Sequence, residues 1–404
     1  MSRRTMLRSL VAGAAGLMAV TPGSPFMPES RATPPRRRSL SLEPFEVRFP
    51  PEAIADLHRR IDAMRWPEMP FETGWDSGTD IQVLRELTEY WREEYDWFRV
   101  EDELNRLQHL RGPIEGENLH CVLYEGEGPE PRMPLLLLHG WPSTFFEFTG
   151  AAPGLASATS GRPGFDLVTP SLPGFGFSDP PSQPGMNIGR IADRLHLLML
   201  ELGYERYGVQ GGDWGAIIGS QMARRHPEAV VGLHVNFVAG APLPPDGEPM
   251  TEEEVNYREA RERFQAEETG YSSIQGSRPQ SLAFAQHDSP VGWLAWMLEK
   301  YWAWSDHDGD LWSTFTRDQV LTTAMLYWLP GRILSAARIY QEAFSGPPGS
   351  VLGGRVEVPT GYARFPAEPW GPPREIVERS YNLVHYSEHP RGGHFPALEQ
   401  PERW

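Results

Sequence analysis

One cysteine, a deficit of positive charge and no apolar run long enough to cross a bilayer set the first limits. Cys121 stands alone among 404 residues. It excludes an internal disulfide framework and a cysteine-based zinc site. Lys and Arg number 37 against 54 Asp and Glu, a net charge of −17. A broad nucleic-acid surface needs a basic face, so that class of partner is set aside. The uncharged stretch 9–20 covers 12 residues, whereas a spanning helix takes about 20. There is no internal repeat, and low complexity is confined to a Pro/Arg-rich segment at 30–38 that reads as a linker. What is abundant is apolar and aromatic: 40% hydrophobic residues, with 14 Trp, 18 Phe and 13 Tyr. The chain can bury a sizeable core and line an apolar pocket. Its length allows two or three domains, or one large domain with insertions.

The N-terminus has the layout of an export signal. Arg3 and Arg4 precede the uncharged stretch, and Ser2, Arg3, Arg4 and Leu7 resemble a bacterial twin-arginine signal. No small-x-small cleavage site stands out. Residues 1–38 are therefore read as an export signal or an uncleaved membrane anchor, followed by the linker.

Beyond the linker the chain is first helical. Ile54, Leu57, Ile61 and Met64 fall at helical spacing in 51–66, and Leu84, Leu87, Trp91 and Tyr95 do so in 81–95. Short apolar runs then predict strands at 120–124, 134–139, 165–169 and 207–210, with a helix over 188–202. Alternation of buried runs with helices indicates a parallel sheet covered on both faces. From 240 to 346 the rhythm is lost to helix formers and tryptophans. Strands return at 355–362 and 382–386. A helical insertion in an α/β sheet is most simply a cap over the carboxyl edge, where ligands bind.

The chemistry centres on Gly211-Gly212-Asp213-Trp214-Gly215, between an apolar run and a helical pattern. A strand, a Gly-x-nucleophile-x-Gly turn and a helix form a nucleophile elbow. The spacing alone is equally that of an Asp capping a helix. His139-Gly140-Trp141-Pro142, at the end of a predicted strand, tips the balance toward the elbow. The N–H groups of Trp141 and Trp214 are expected to point at one oxygen of Asp213 as an oxyanion hole.

With these motifs in view, the chain resembles an epoxide hydrolase of the α/β-hydrolase fold, of the microsomal and juvenile-hormone branch. The resemblance runs from about Pro44 to the end. It includes Trp91 and Asn105 in a helical N-terminal meander, the loop Pro170-Ser171-Leu172-Pro173-Gly174-Phe175-Gly176-Phe177-Ser178, Asp288 to Gly292 with Glu299-Lys300 in the cap, and Arg391-Gly392-Gly393-His394-Phe395. It implies a mostly parallel sheet with helices on both faces, divided into a meander (39–118), a first core part (119–239), a helical cap (240–346) and a last core part (347–404). The closing helix of the family is represented only by its start, near Ala397.

An aspartate's ordinary pKa is about 4, so it attacks an epoxide carbon without a base. The resulting ester has a carbonyl that water can attack; a serine ether would not. His394 is favoured as the water's base because it lies in a loop after the last predicted strand, with His385 and His389 as neighbours. The resemblance places the orienting acid at Glu368, with Glu357 and Glu378 as substitutes. It also implies two proton-donating cap tyrosines, Tyr340 and Tyr271, with Tyr257 a rival for the second. A small hydrophobic epoxide and water are the expected partners, with membrane association through the N-terminus as a further one; no metal or organic cofactor is implied. Two other readings are carried. One is a haloalkane dehalogenase, which uses the same nucleophile without a proton donor. The other is a non-catalytic binder of hydrophobic ligands.

Overall fold

A computed structural model describes residues 41–159, 163–245, 247–346 and 353–404. The N-terminal signal and linker lie outside them. Among the described residues no helix is long and apolar enough to cross a membrane.

Among the described residues nine strands form one sheet in the order β1-β2-β3-β5-β4-β6-β7-β8-β9. They are β1 (Glu43–Pro44), β2 (Gln108–Ile114), β3 (Glu117–Tyr124), β4 (Pro134–Leu138), β5 (Asp166–Ser171), β6 (Tyr207–Gly211), β7 (Val230–Val235), β8 (Val356–Arg364) and β9 (Tyr381–Glu388). Pairing is antiparallel from β1 to β5 and parallel from β5 through β4 to β9. Strands β5 and β6 are buried along their whole length and β4 along most of it. Strands covered on both faces read as continuous apolar runs, which is why these three were legible.

Besides the two-residue β1, two strands escaped the sequence reading. Strand β7 is a run broken by Gly232 and His234. Strand β2 carries Arg111, Gly112 and Pro113 on the antiparallel side, where pairing with β3 overrides low strand propensity.

The helices follow their apolar spacing. They are α1 (Pro51–Asp62), α2 (Ile81–Glu93), α3 (Trp97–Leu104), α4 (Ala152–Ala156), α5 (Ile188–Glu201) and α6 (Asp213–Arg225). Helix α1 ends at Asp62, short of the expected 66, because Pro67 lies close ahead. Between β7 and β8 come α7 (Glu252–Glu267), α8 (Gly270–Ser277), α9 (Pro279–Asp288), α10 (Pro290–Trp304), α11 (Arg317–Trp328) and α12 (Ile333–Phe344). Two short helices, α13 (Arg374–Ser380) and α14 (Pro396–Glu399), complete the chain.

The N-terminal segment braces this inserted layer. Asn105 binds both backbone groups of Val47 at 2.8 Å. Trp75 stacks on Trp302 of α10 with ring centroids 4.5 Å apart and planes 3° off parallel. Thr79 Oγ1 donates to the Ala295 carbonyl at 2.6 Å, and the Tyr95 hydroxyl meets Thr322 Oγ1 of α11 at 3.0 Å. Helix α10 is thus clamped from outside, and its inner face carries Lys300 and Trp304 toward the sheet.

Candidate active site

Strand β6 runs into α6 through a turn in which Asp213 takes φ +48°. A non-glycine residue held there is strained, and the surrounding glycines explain how it fits. A Cβ on Gly215 would sit 1.9 Å from the Leu138 carbonyl of β4, and one on Gly211 would sit 2.3 Å from Gly215. Gly212 is the N-cap of α6, and Asp213 is its first residue with no side-chain cap bond. The capping alternative is thereby set aside: the carboxylate points elsewhere.

It points between two loops. Trp141 N–H donates to Asp213 Oδ1 at 2.9 Å. The backbone approaches so closely that a Cβ on Gly140 would lie 2.0 Å from the same oxygen. His394 Nε2 is 3.2 Å from Asp213 Oδ2, and its Nδ1 lies 3.0 Å from both oxygens of Glu368. Trp214 departs from expectation. Its N–H, a first-turn donor that no helical carbonyl reaches, makes no bond to the carboxylate. The left-handed turn swings the side chain of Asp213 toward Trp141 and His394, away from the amide that follows it.

His394 and Glu368 are buried. Burial pushes the imidazole toward neutrality, but the Glu368 and Asp213 charges outweigh it and hold its pKa well above the ordinary value. Phe237 and Trp304 meet the ring edge-on, at centroid distances of 5.7 and 5.0 Å. The alternatives lie elsewhere. His385, Glu357 and Glu378 are exposed, and His389 stacks on Phe365.

In front of Asp213 is a cavity with about 540 Å³ open to the centre of a water molecule. It is lined by Asp213, His394, Glu368, Tyr271, Tyr340 and aromatic side chains including Trp304 and Trp370. Tyr257 is buried on α7 but does not line it. The ring of Tyr271 stacks on Trp141 at 5.1 Å, 8° from parallel, and meets Tyr340 edge-on at 5.6 Å. The Tyr340 ring also meets Trp214 at 4.8 Å. Burial, reinforced by the Asp213 charge, raises both hydroxyls, so both stay protonated and able to donate. The Tyr340 hydroxyl is buried and has no partner of full hydrogen-bonding geometry, although the Tyr271 hydroxyl and the Trp214 indole lie close enough to interact with it. An unsatisfied buried donor is costly, and a ligand oxygen would relieve it.

Lys300 adds a feature whose role the motif alone did not disclose. Its buried ammonium binds Glu299 Oε1 at 2.7 Å and Glu268 Oε2 at 3.2 Å. It sits 4.9 Å from the Tyr271 ring and 5.4 Å from that of Trp304. Such cation–π contact fixes where the tyrosine stands.

Comparison with known proteins places the chain among characterised families. The family profile described as epoxide hydrolase N terminus matches residues 42–148, and that of the alpha/beta hydrolase fold matches 133–266. Epoxide hydrolase 1 of Oryctolagus cuniculus is 35% identical, over 90% of this chain and 86% of its own length. Juvenile hormone epoxide hydrolase of Bombyx mori is 35% identical, over 91% of this chain and 85% of its own. The crystal structure of juvenile hormone epoxide hydrolase from Bombyx mori covers 91% of this chain and 92% of its own at 34% identity, with a TM-score of 0.79. The Aspergillus niger epoxide hydrolase structure covers 90% and 94% at 29% identity, with a TM-score of 0.80.

Proposed function

We infer the reaction from the fact that this chain belongs to the epoxide hydrolase family. Its function is to hydrolyse an epoxide to a vicinal diol, and the following assignment of roles is ours. The observation that carries it is the Asp213 carboxylate, held at φ +48° with one oxygen on the Trp141 N–H and the other on His394.

The Oδ2 side of the carboxylate attacks an epoxide carbon. The ring C–O bond breaks, and the leaving oxygen takes a proton from Tyr340, assisted by Tyr271. A covalent ester on Asp213 results. Esterification removes the Asp213 negative charge from beside His394. The imidazole then loses one of the two carboxylates that hold its pKa up, releases its proton to solvent, and becomes able to accept one from water; it is reprotonated once the Asp213 carboxylate returns. A water gives its proton to His394 Nε2 and attacks the ester carbonyl carbon. Glu368 stabilises the imidazolium. The Trp141 and Trp214 N–H groups are the pair assigned to the oxyanion, an arrangement worth about 3–4 kcal/mol per donor in other enzymes. Trp214 engages only as the carbonyl carbon becomes tetrahedral and its oxygen moves. Collapse releases the diol and restores the carboxylate, whose displaced proton returns to the tyrosine.

The aromatic lining favours a hydrophobic epoxide, aryl or alkyl, as substrate. Tyrosine donors suit an alkoxide leaving group, whereas a halide needs none, which supports the epoxide over the haloalkane. We further propose that residues 1–38 direct export or anchor the chain in a membrane. The test of the catalytic roles is intact-protein mass after incubating His394→Gln with an aryl epoxide. The expected result is a gain of one substrate mass, located on the peptide containing Asp213. An adduct on any other residue would contradict the assignment.

A further inference from the structure

Behind Asp213, away from the substrate cavity, is a second and much smaller chamber. Its space for the centre of a water molecule is about 10 Å³, room for a single water. The two hollows share only two wall residues, Asp213 and His394. Carboxylate and imidazole form the partition between them.

The small chamber is polar where it counts. Ser143, Glu147 and Asn236 line it beside the two shared residues. Asn236 Oδ1 accepts from Gln210 Nε2 at 3.0 Å, and its Nδ2 is buried without a partner. Ser143 Oγ is also buried with no partner of hydrogen-bonding geometry. Orphaned donors around a one-water space are the conditions under which a buried water is held. Glu147 sits four residues after Ser143, in the turn Phe145–Phe148 that follows the Trp141 loop. Burial pushes its carboxyl up to about 8, with the Ser143 hydroxyl and His394 pulling back in part and Asp213 adding to the rise. At neutral pH it is therefore mostly uncharged and adds no repulsion to the nucleophile.

Resting on the Asp213 reading, we propose that the water that splits the ester is drawn from this rear chamber, where Ser143, Asn236 and Glu147 hold it, with Glu147 as the positioning residue. From there the water oxygen forms its bond to the Asp213 carbonyl carbon and its proton passes to His394. The ester's alkyl C–O oxygen leaves toward the front cavity and is protonated there by the imidazolium. Substrate and hydrolytic water thus occupy separate compartments, and a bulky alkyl group need not leave room for water.

The experiment is single-turnover kinetics of Glu147→Gln with an aryl epoxide, quenched and scored for the Asp213 ester by mass. Ring opening is expected within about twofold of wild type and ester decay slowed about 10- to 100-fold, the scale of a misplaced reactant. Unchanged decay, or both phases slowed alike, would overturn the rear-chamber assignment. No ester in the wild type would overturn the Asp213 reading itself, and this inference with it. If Glu147→Gln does not fold, Ser143→Ala makes the same test, because it removes one holder of the water and leaves the hydrophobic packing in place.

Discussion

Asp213 occupies a backbone conformation that costs on the order of 1–3 kcal/mol, and the fold holds it there because its neighbours have no Cβ. That strain aims the carboxylate at the cavity. Asp213→Ala is expected to retain the fold and lose diol formation completely; measurable turnover by the variant would reject the nucleophile. Tyr340→Phe removes the buried hydroxyl that faces the cavity beside Asp213. Its ring-opening phase should slow by about 10²-fold, the usual scale of general-acid help, with ester decay little changed. The pH dependence divides the same way. Ester decay needs neutral His394, so its rate should fall as the pH drops through the imidazole's pKa in the esterified enzyme. Ring opening needs the charged Asp213 and the protonated tyrosines, which stay protonated as the pH falls, and should persist to lower pH. Rapid-quench rates between pH 5 and 9 check this, and a shared pH limb for both phases would contradict it. At this scale the sequence was informative. Asp213 and His394 sit in short motifs, the family resemblance pointed to Glu368, and the structure brings the three within hydrogen-bonding distance. Asn236 and Glu147 did not, because a one-water space is made by four distant segments and leaves no spacing to read.

The elements show why some signals survive and others do not. Strands β4, β5 and β6 are buried on both faces, so continuous apolar runs betray them, whereas β7 and β2 are held by pairing with neighbours and read as loops. The β2–β3 pair also carries a buried histidine couple. His109 Nδ1 lies 2.8 Å from His120 Nε2, and His120 Nδ1 lies 2.9 Å from Ser171 Oγ of β5. Burial lowers the pKa of both, with the neighbouring ring and Arg111 adding to the effect on His120. A group whose folded pKa is depressed takes up more protons when unfolded. Its contribution is full above the unfolded value of about 6.5 and is lost as pH falls below it. Thermal unfolding followed from pH 8 to 5 should show Tm falling through that range. His120→Phe should flatten the fall, and an equal fall in the variant would remove the couple as its cause. At the elbow, Gly215→Ala would drive a methyl into the Leu138 carbonyl of β4. It should destabilise the protein by at least about 1–3 kcal/mol, read as a drop in the denaturation midpoint.

At the scale of the whole molecule, three layers serve one sequence of steps. The sheet presents nucleophile, acid and base at the carboxyl ends of β6, β8 and β9. The inserted helices supply the tyrosines and the aromatic walls. The N-terminal segment clamps α10 through Trp75 and Thr79, so the walls keep their place. Strands β1 and β2 belong to the sheet although they lie in the segment read as helical, but the helical insertion between sheet strands was visible in the apolar rhythm of the chain. The way they lock together was not, because a stack such as that of Trp75 on Trp302 joins residues far apart in sequence. The whole arrangement makes sense if the polypeptide itself donates an oxygen to the product and recovers it from water afterwards. One turnover in heavy-oxygen water, with enzyme in excess over an aryl epoxide, tests that most directly. The account predicts a diol free of label and one heavy oxygen in the peptide that holds Asp213; a labelled diol with an unlabelled protein would contradict it.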